Sequence, residues 1–176
     1  ADLAENPFTA YCYYQPSFFG QGTPLYVPAQ SVAAVRDLLE SDVVQRTIPR
    51  DMEFQFDTED MIFGDGTALR PLYLLDAKPG LEGDRLTTAR KTNDTERPGF
   101  WQVNMNLDSR GARAFSRLTG ENVGRQLAIS LDGRVSSAPS INSRIPNGQA
   151  VITGSFSSEE AGDLALLLRA GAITLS

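Results

Sequence analysis

The sequence predicts an α+β fold of two lobes, and three observations lead to this prediction. Apolar and aromatic residues make up 41% of the 176 residues, enough for a core without disulfides or metals. Apolar residues recur both at alternate positions, as in strands, and at helical spacing. A charged stretch with Pro and Gly, between Asp76 and Pro98, separates two such regions. We therefore expect an irregular arm over 1–24, a first α+β lobe over 25–82 and a second over 83–176.

The arm is rich in Tyr, Phe, Pro and Gly and shows no sustained period. Its aromatic residues could dock on the body of the protein or form an exposed adhesive patch. Large exposed apolar patches are rare, which favours docking. As an adhesive patch the arm would offer four candidate polypeptide-binding residues, Tyr13, Tyr14, Phe18 and Phe19.

The first lobe is predicted to have the order β-α-β-β. Ser31 precedes an amphipathic run and is a candidate N-cap. Phe54 and Phe56 alternate with polar residues, as expected for a strand. The other predicted elements are a strand at 25–27, a Gly-Asp-Gly turn at 64–66 and a strand at 72–75.

The second lobe begins with a weak strand signal near 85–89, followed by a clear one at 101–107, where apolar and polar residues alternate strictly. Asp108 is placed to cap the next helix, whose apolar residues include Phe115. Three charged residues step along the other face of this helix at i+4 spacing and predict a solvated surface: Arg113, Arg117 and Glu121.

A hairpin and a final helix complete the second lobe. Asp132-Gly133 between two alternating runs predicts the hairpin. A strand at 150–153 then leads to a helix that opens with Ser157 and Glu160 in capping-box spacing and ends near Gly171. This order predicts a ferredoxin-like (split βαβ) antiparallel sheet with helices on one face, lacking its closing strand.

Composition argues against most enzyme chemistry. The chain has no histidine, which removes the usual general base and the commonest metal ligand. Its single cysteine, Cys12, has no partner for a disulfide and is expected to be a small buried hydrophobe. A net charge of −6 makes nucleic acid an improbable partner. The sequence predicts no cofactor, no metal and no catalytic residue.

Two alternatives involving carboxylates remain open. Asp57, Glu59, Asp60 and Asp65 crowd one loop and could offer oxygen ligands to calcium, although their spacing fits a solvated acidic loop better. A secreted hydrolase using paired carboxylates would need residues that only the fold can bring together. No run of about 20 apolar residues predicts a membrane span. The start at Ala1, without a signal peptide, suggests an excised or processed chain.

The second half resembles the SecD family over an ordered series of motifs. The matching segments are GDRL (83–86), AR (89–90), LDSRGARAF (107–115), LTGENVGRQLAI (118–129), LDGRV (131–135), SAP (137–139), ITGSF (152–156), EEA (159–161) and DLALLLRAG (163–171). The first half is similar only in general layout to the front part of fused SecDF proteins. Departures include Gly120 at a position that is commonly charged, and Ile173-Thr174 where Leu-Pro is frequent.

The resemblance implies the large first periplasmic domain of a multi-pass inner-membrane protein of the RND superfamily. Such a protein assists proton-motive-force-driven export through the Sec pathway. The domain itself would be noncatalytic and would interact with unfolded preprotein, with the SecYEG translocon, and with SecF and the transmembrane part of its own protein. The alternative is a purely structural lobe that positions neighbouring domains or the translocon. Open sheet edges would suit polypeptide binding by strand addition.

Overall fold

The computed structural model describes residues 24–169 and 173–175. The chain divides into two compact units. Among the described residues, the first comprises 24–78 and 133–135, and the second comprises 79–132, 136–169 and 173–175. Both mix helices with antiparallel sheets. Within the described ranges, no helix has the length and apolar character needed to cross a bilayer.

The first unit is a small sheet with two helices. Its central strand β4 pairs with β1 on one side and with β2 and β3 on the other, always antiparallel. A short 3-10 helix, Ala29–Ser31, links β1 to the first α-helix. The elements are β1 (Leu25–Pro28), α1 (Val32–Glu40), α2 (Asp42–Gln45), β2 (Met52–Phe56), β3 (Met61–Ile62) and β4 (Ala68–Asp76).

One face of this sheet carries the core of the first unit. Leu25, Leu72 and Phe56 are cross-strand neighbours on that face. Val35 and Leu39 of α1 bury their side chains in the same cluster. Ser31 does occupy the N-cap position of α1, but its side chain makes no capping hydrogen bond. The preceding 3-10 turn puts Ser31 in a helical conformation, away from the extended one that caps adopt.

The second unit contains two sheets. Strand β7 lies between β6 and β10 in a three-stranded antiparallel sheet, and β5, β11, β8 and β9 form a second sheet in that order. A 3-10 turn, Gly83–Arg85, joins β5 to β6. The elements are β5 (Leu81–Glu82), β6 (Leu86–Asn93), β7 (Trp101–Leu107), α3 (Ser109–Glu121), β8 (Ile129–Leu131), β9 (Arg134–Ser137), β10 (Gln149–Phe156), α4 (Ser158–Arg169) and β11 (Ile173–Leu175).

The alternation along β7 decides which face of the three-stranded sheet is buried. Val103 and Met105 are almost completely buried and pair with Ile152 and Ala150 of β10. Phe115 of α3 belongs to the same core cluster, as do the inner residues of α4. The opposite face is polar, and its asparagines donate hydrogen bonds to threonines of β6.

Several local predictions are confirmed. The Asp108 carboxylate accepts hydrogen bonds from the backbone N–H groups of Arg110 and Gly111 and so caps α3. Ser157 and Glu160 form the reciprocal capping box at the start of α4. The helix ends at Arg169, and the predicted end near Gly171 lies outside the described residues.

The ferredoxin-like sheet predicted for the second lobe differs from the structure. Strands β8 and β9 belong to a separate sheet, and β11 follows α4 where the prediction left the sheet without a closing strand. The reason lies in β6, which is longer than the predicted strand and pairs along all of β7. Because β6 and β10 occupy both sides of β7, the β8–β9 hairpin has no place beside it.

Candidate functional site

A groove of about 210 Å³ in the second unit is the best candidate for a functional site. One wall is the stretch Ala150–Ile152 of β10, and the other is the loop 139–145. Phe115 and Thr119 of α3 also line the groove. The floor is formed by three apolar side chains, Met105, Leu127 and Ile129. We call this site the apolar groove.

The groove runs along an edge of β10 that is unpaired among the described residues. Among the described residues, β7 is the only strand that pairs with β10. Successive side chains of a strand point to opposite faces. A depression lined by the three consecutive residues Ala150, Val151 and Ile152 must therefore pass the edge of the strand. Val151 is 52% exposed, whereas Ala150 and Ile152 are buried.

The hydrogen-bond register shows which backbone groups face this edge. The N–H of Leu107 donates to the carbonyl of Gly148 at 2.8 Å, so this pair is hydrogen-bonded. Antiparallel partners alternate between hydrogen-bonded and non-hydrogen-bonded pairs. The backbone groups of Ala150 and Ile152 therefore point towards β7, whereas the N–H and C=O of Val151 point away from it. They are available to another extended chain.

The loop wall is held in place from two directions. Its first part is anchored by backbone hydrogen bonds, from Leu127 to Pro139 and between Ile141 and the 124–125 turn. Its far end is anchored by Thr119, whose side chain is fully buried. The Thr119 hydroxyl donates to the carbonyl of Phe115 at 2.8 Å and accepts from the N–H of Ile145 at 3.0 Å. The groove therefore has a preformed wall.

The lining contains no ionisable side chain. Its polar members are hydroxyl and amide groups, Thr119, Ser140, Asn142 and Ser143. General acid–base catalysis needs a titratable group within reach of the substrate, and the groove offers none. Its volume also falls below the roughly 300–1,000 Å³ typical of sites for drug-sized ligands. An uncharged groove beside a strand edge is suited to binding apolar side chains of an extended chain.

Carboxylates with shifted pKa values lie elsewhere and have local structural causes. Burial raises the pKa of Asp57, although hydrogen bonds from the Glu59 N–H and the Tyr73 hydroxyl act in the opposite direction. Burial and the Asp57 charge in turn raise the pKa of Tyr73. Backbone donors lower the pKa of Asp108. These shifts accompany turns and caps.

The acidic loop that raised the possibility of calcium binding has separate roles for its members. Asp57 and Asp65 each accept a backbone N–H two residues ahead, from Glu59 and Thr67. Asp60 forms an ion pair with Arg70 at 2.7 Å. Nowhere in the described ranges do three or more potential ligands gather into a metal cluster.

The first unit also exposes an apolar hairpin. Met61 and Ile62 of the short strand β3 are 48% and 69% exposed, and Phe63 follows them. Phe63 contacts the ring of Tyr26 edge-on, with centroids 6.1 Å apart. Tyr26 and Phe63 also line an open depression of about 730 Å³ in this unit.

Sequence reasoning did not find the groove. The four aromatic candidates, Tyr13, Tyr14, Phe18 and Phe19, lie outside the described residues, as does Cys12. The loop 139–145 looks like a connection between strands when only its turn residues are considered. The signal that could have found it is a pair of isoleucines, Ile141 and Ile145, in a segment otherwise rich in Ser and Asn.

The chain is similar to known proteins over most of its length. Residues 58–175 match the family model described as SecDF, P1 head subdomain. The protein translocase subunit SecD of Rhodothermus marinus is 40% identical over 159 residues, which are 88% of this chain and 25% of that protein. SecD of Desulfurispirillum indicum is 53% identical over 91 residues, 52% of this chain and 18% of that protein.

A crystal structure of SecDF in a super-membrane-facing form is 31% identical, with a TM-score of 0.49, over 90% of this chain and 19% of that one. The chain spans a quarter or less of the length of the two SecD proteins described above. Because the family model covers more than half of the chain, the chain belongs to the SecDF P1 head subdomain family.

Proposed function

We propose that this chain is a noncatalytic domain of a protein-export machine and that it binds an extended, unfolded segment of preprotein in the apolar groove. The observation that carries the proposal is the unpaired edge of β10 beside an uncharged lining. Backbone hydrogen bonds to Val151 would hold a segment of almost any sequence, as in other cases of strand addition. Apolar side chains of the segment would enter the groove.

The wider setting of the proposal comes from the relatives, which are named protein translocase subunit SecD. In this setting the domain lies on the periplasmic side of the bacterial inner membrane, as part of a multi-pass protein that assists export driven by the proton motive force. Its partners are the preprotein, the SecYEG translocon, and SecF with the transmembrane part of its own protein. Conversion of the proton motive force belongs to those other parts.

A titration of the full 176-residue chain tests the proposal. A fluorescently labelled secretory protein is added in its unfolded form and in its folded form, and anisotropy is measured. We expect binding to the unfolded form only, because a folded protein does not offer an extended segment with free backbone groups. Equal binding of both forms, or of neither, contradicts the proposal. Absence of any binding would favour a lobe that only positions its neighbours.

Two substitutions at one position test the strand edge itself. Val151→Pro removes the outward N–H, and proline is tolerated on edge strands. Val151→Thr keeps the N–H and a β-branched side chain, so it is the matched control. We expect the proline variant alone to lose binding. A peptide ligand methylated at alternate backbone nitrogens makes the same test without altering the protein, and its binding should also be lost.

A further inference from the structure

Three arginines gather beside the apolar groove. A wider depression of about 580 Å³ is lined by Arg113 and Arg117 of α3 and by Arg144 of the groove loop, with a single acid, Glu121. We call it the arginine pocket. None of the three guanidinium groups forms an ion pair within the described part of the chain. This is a local excess of positive charge in a chain of net charge −6.

The position of Arg144 is fixed by two neighbours on α3. Its Nε donates to the Ser116 hydroxyl at 2.9 Å, and Ser116 is buried. Gly120 leaves space for its stem, since a Cβ at Gly120 would lie only 3.3 Å from Cδ of Arg144. Glycine within a helix costs about 1 kcal/mol relative to alanine. Its presence here allows Arg144 to lie against the helix.

The arginine pocket and the apolar groove are lined by neighbouring residues of the same loop and the same helix. Ser143 and Ile145 line the groove, and Arg144 lies between them in the chain. On α3, Phe115 and Thr119 line the groove, whereas the adjacent residues Ser116 and Gly120 line the pocket. A chain bound in the groove would therefore lie near guanidinium groups that form no ion pair among the described residues.

From this arrangement we infer a sequence preference: the site binds extended segments in which an acidic residue flanks the apolar stretch, with the carboxylate entering the arginine pocket. The inference rests on the proposed function of the groove. Guanidinium groups match carboxylates with paired hydrogen bonds, and opposite charges across an interface set register and select partners. The backbone edge gives general binding, and the arginines give the preference.

Three peptides of one apolar sequence test the preference with the full 176-residue chain. Each peptide carries two Asp, two Asn or two Lys residues at its N-terminal end. A second set carries the same pairs at the C-terminal end. We expect the Asp peptide to bind more tightly than the Asn peptide, by about two- to fivefold for each carboxylate that pairs with an arginine. This is the range of affinity that one exposed ion pair contributes. The Lys peptide should bind more weakly. Raising the salt concentration should reduce these differences.

Protein variants assign the effect to the pocket. The double variant Arg113→Gln with Arg117→Gln leaves Arg144 and the groove loop intact, so it should reduce the difference between the Asp and Asn peptides and leave binding of the Asn peptide unchanged. Arg110→Gln is the matched control, because Arg110 is exposed on α3 but does not line the pocket. Equal affinity for Asp and Asn peptides overturns the preference while the groove proposal stands. Failure of all three peptides to bind overturns both.

Discussion

Gly148 and Ala112 approach so closely that a Cβ on Gly148 would lie 2.6 Å from the Cβ of Ala112. Gly148 also has a φ of +67°, a left-handed conformation that disfavours other residues. Gly148 immediately precedes β10, so this contact packs the start of the strand against α3. It therefore fixes the start of the strand that forms one wall of the apolar groove.

Replacing this glycine should destabilise the protein strongly. Gly148→Ala adds backbone strain of about 1–2 kcal/mol and overpacking of about 1–3 kcal/mol. We expect a loss of at least about 2 kcal/mol in the free energy of unfolding, measured in urea. Gly133→Ala is the matched control, since Gly133 has a φ of +72° with no atom within 4 Å of its added Cβ. Equal losses in both variants would show that the Ala112 contact is unimportant.

Thr119 should stabilise the groove through its hydroxyl. Thr119→Val keeps the shape but leaves the Ile145 N–H without its partner, at a cost of about 1–3 kcal/mol. Thr119→Ser retains the hydroxyl and should lose less. We expect the valine variant to bind unfolded polypeptide more weakly than the serine variant, because the loop wall is no longer anchored. Unchanged stability and binding in Thr119→Val would exclude this role.

The Asp108 cap should make stability fall in acid. Hydrogen bonds from Gly111 and Arg110 lower the pKa of Asp108 in the folded protein. The ionised carboxylate therefore makes its full contribution to folding stability at pH values above the ordinary pKa of about 3.9. It is lost as the pH falls through the lower native pKa. We expect the stability advantage of the wild type over Asp108→Asn to shrink between about pH 5 and pH 2. Asp108→Ala should lower the stability at pH 7, because the cap of α3 is lost. A constant difference across pH contradicts this account.

Asp57 should show the opposite dependence. Burial raises the pKa of Asp57 in the folded protein. The protonated carboxyl therefore makes its full contribution to folding stability below about pH 3.9, and this contribution is lost as the pH rises through the higher pKa of the folded state. Relative to Asp57→Asn, the wild type should therefore become less stable as the pH rises from about 3 to 6. Urea unfolding of both proteins at several pH values measures the difference. If the wild type instead became more stable relative to Asp57→Asn as the pH rose, the hydrogen bonds to Asp57 would lower its pKa by more than burial raises it.

The features that sequence reasoning found are those decided by neighbouring residues. The Ser157–Glu160 capping box needs only a four-residue pattern. The Asp132-Gly133 turn needs two residues with positive φ, and both have it, at 49° and 72°. These local rules hold whatever the rest of the chain does, and they located the ends of the clearest elements.

Features that depend on distant pairing were missed. Only Ala89 is buried along the middle of β6, where Arg90 and Lys91 are exposed, so the strand shows little apolar alternation. Charged residues are common on edge strands because they discourage pairing with other chains. The true length of β6 follows from its pairing with β7, and so does the division of the strands into two sheets. The groove depends in turn on that division, which leaves one edge of β10 open.

The strand β11 sets an order of assembly for the second unit. The three-stranded sheet uses only residues 86–156, whereas β5 and β8 pair with residues 173–175. The sheet that contains β5 cannot close until residues 173–175 are present, whether the domain folds during synthesis or after export. Contacts between such distant residues form slowly because a long loop must be closed first. The three-stranded sheet can therefore form before the second sheet closes, and a partly folded domain can expose the edge of β10 beside the groove.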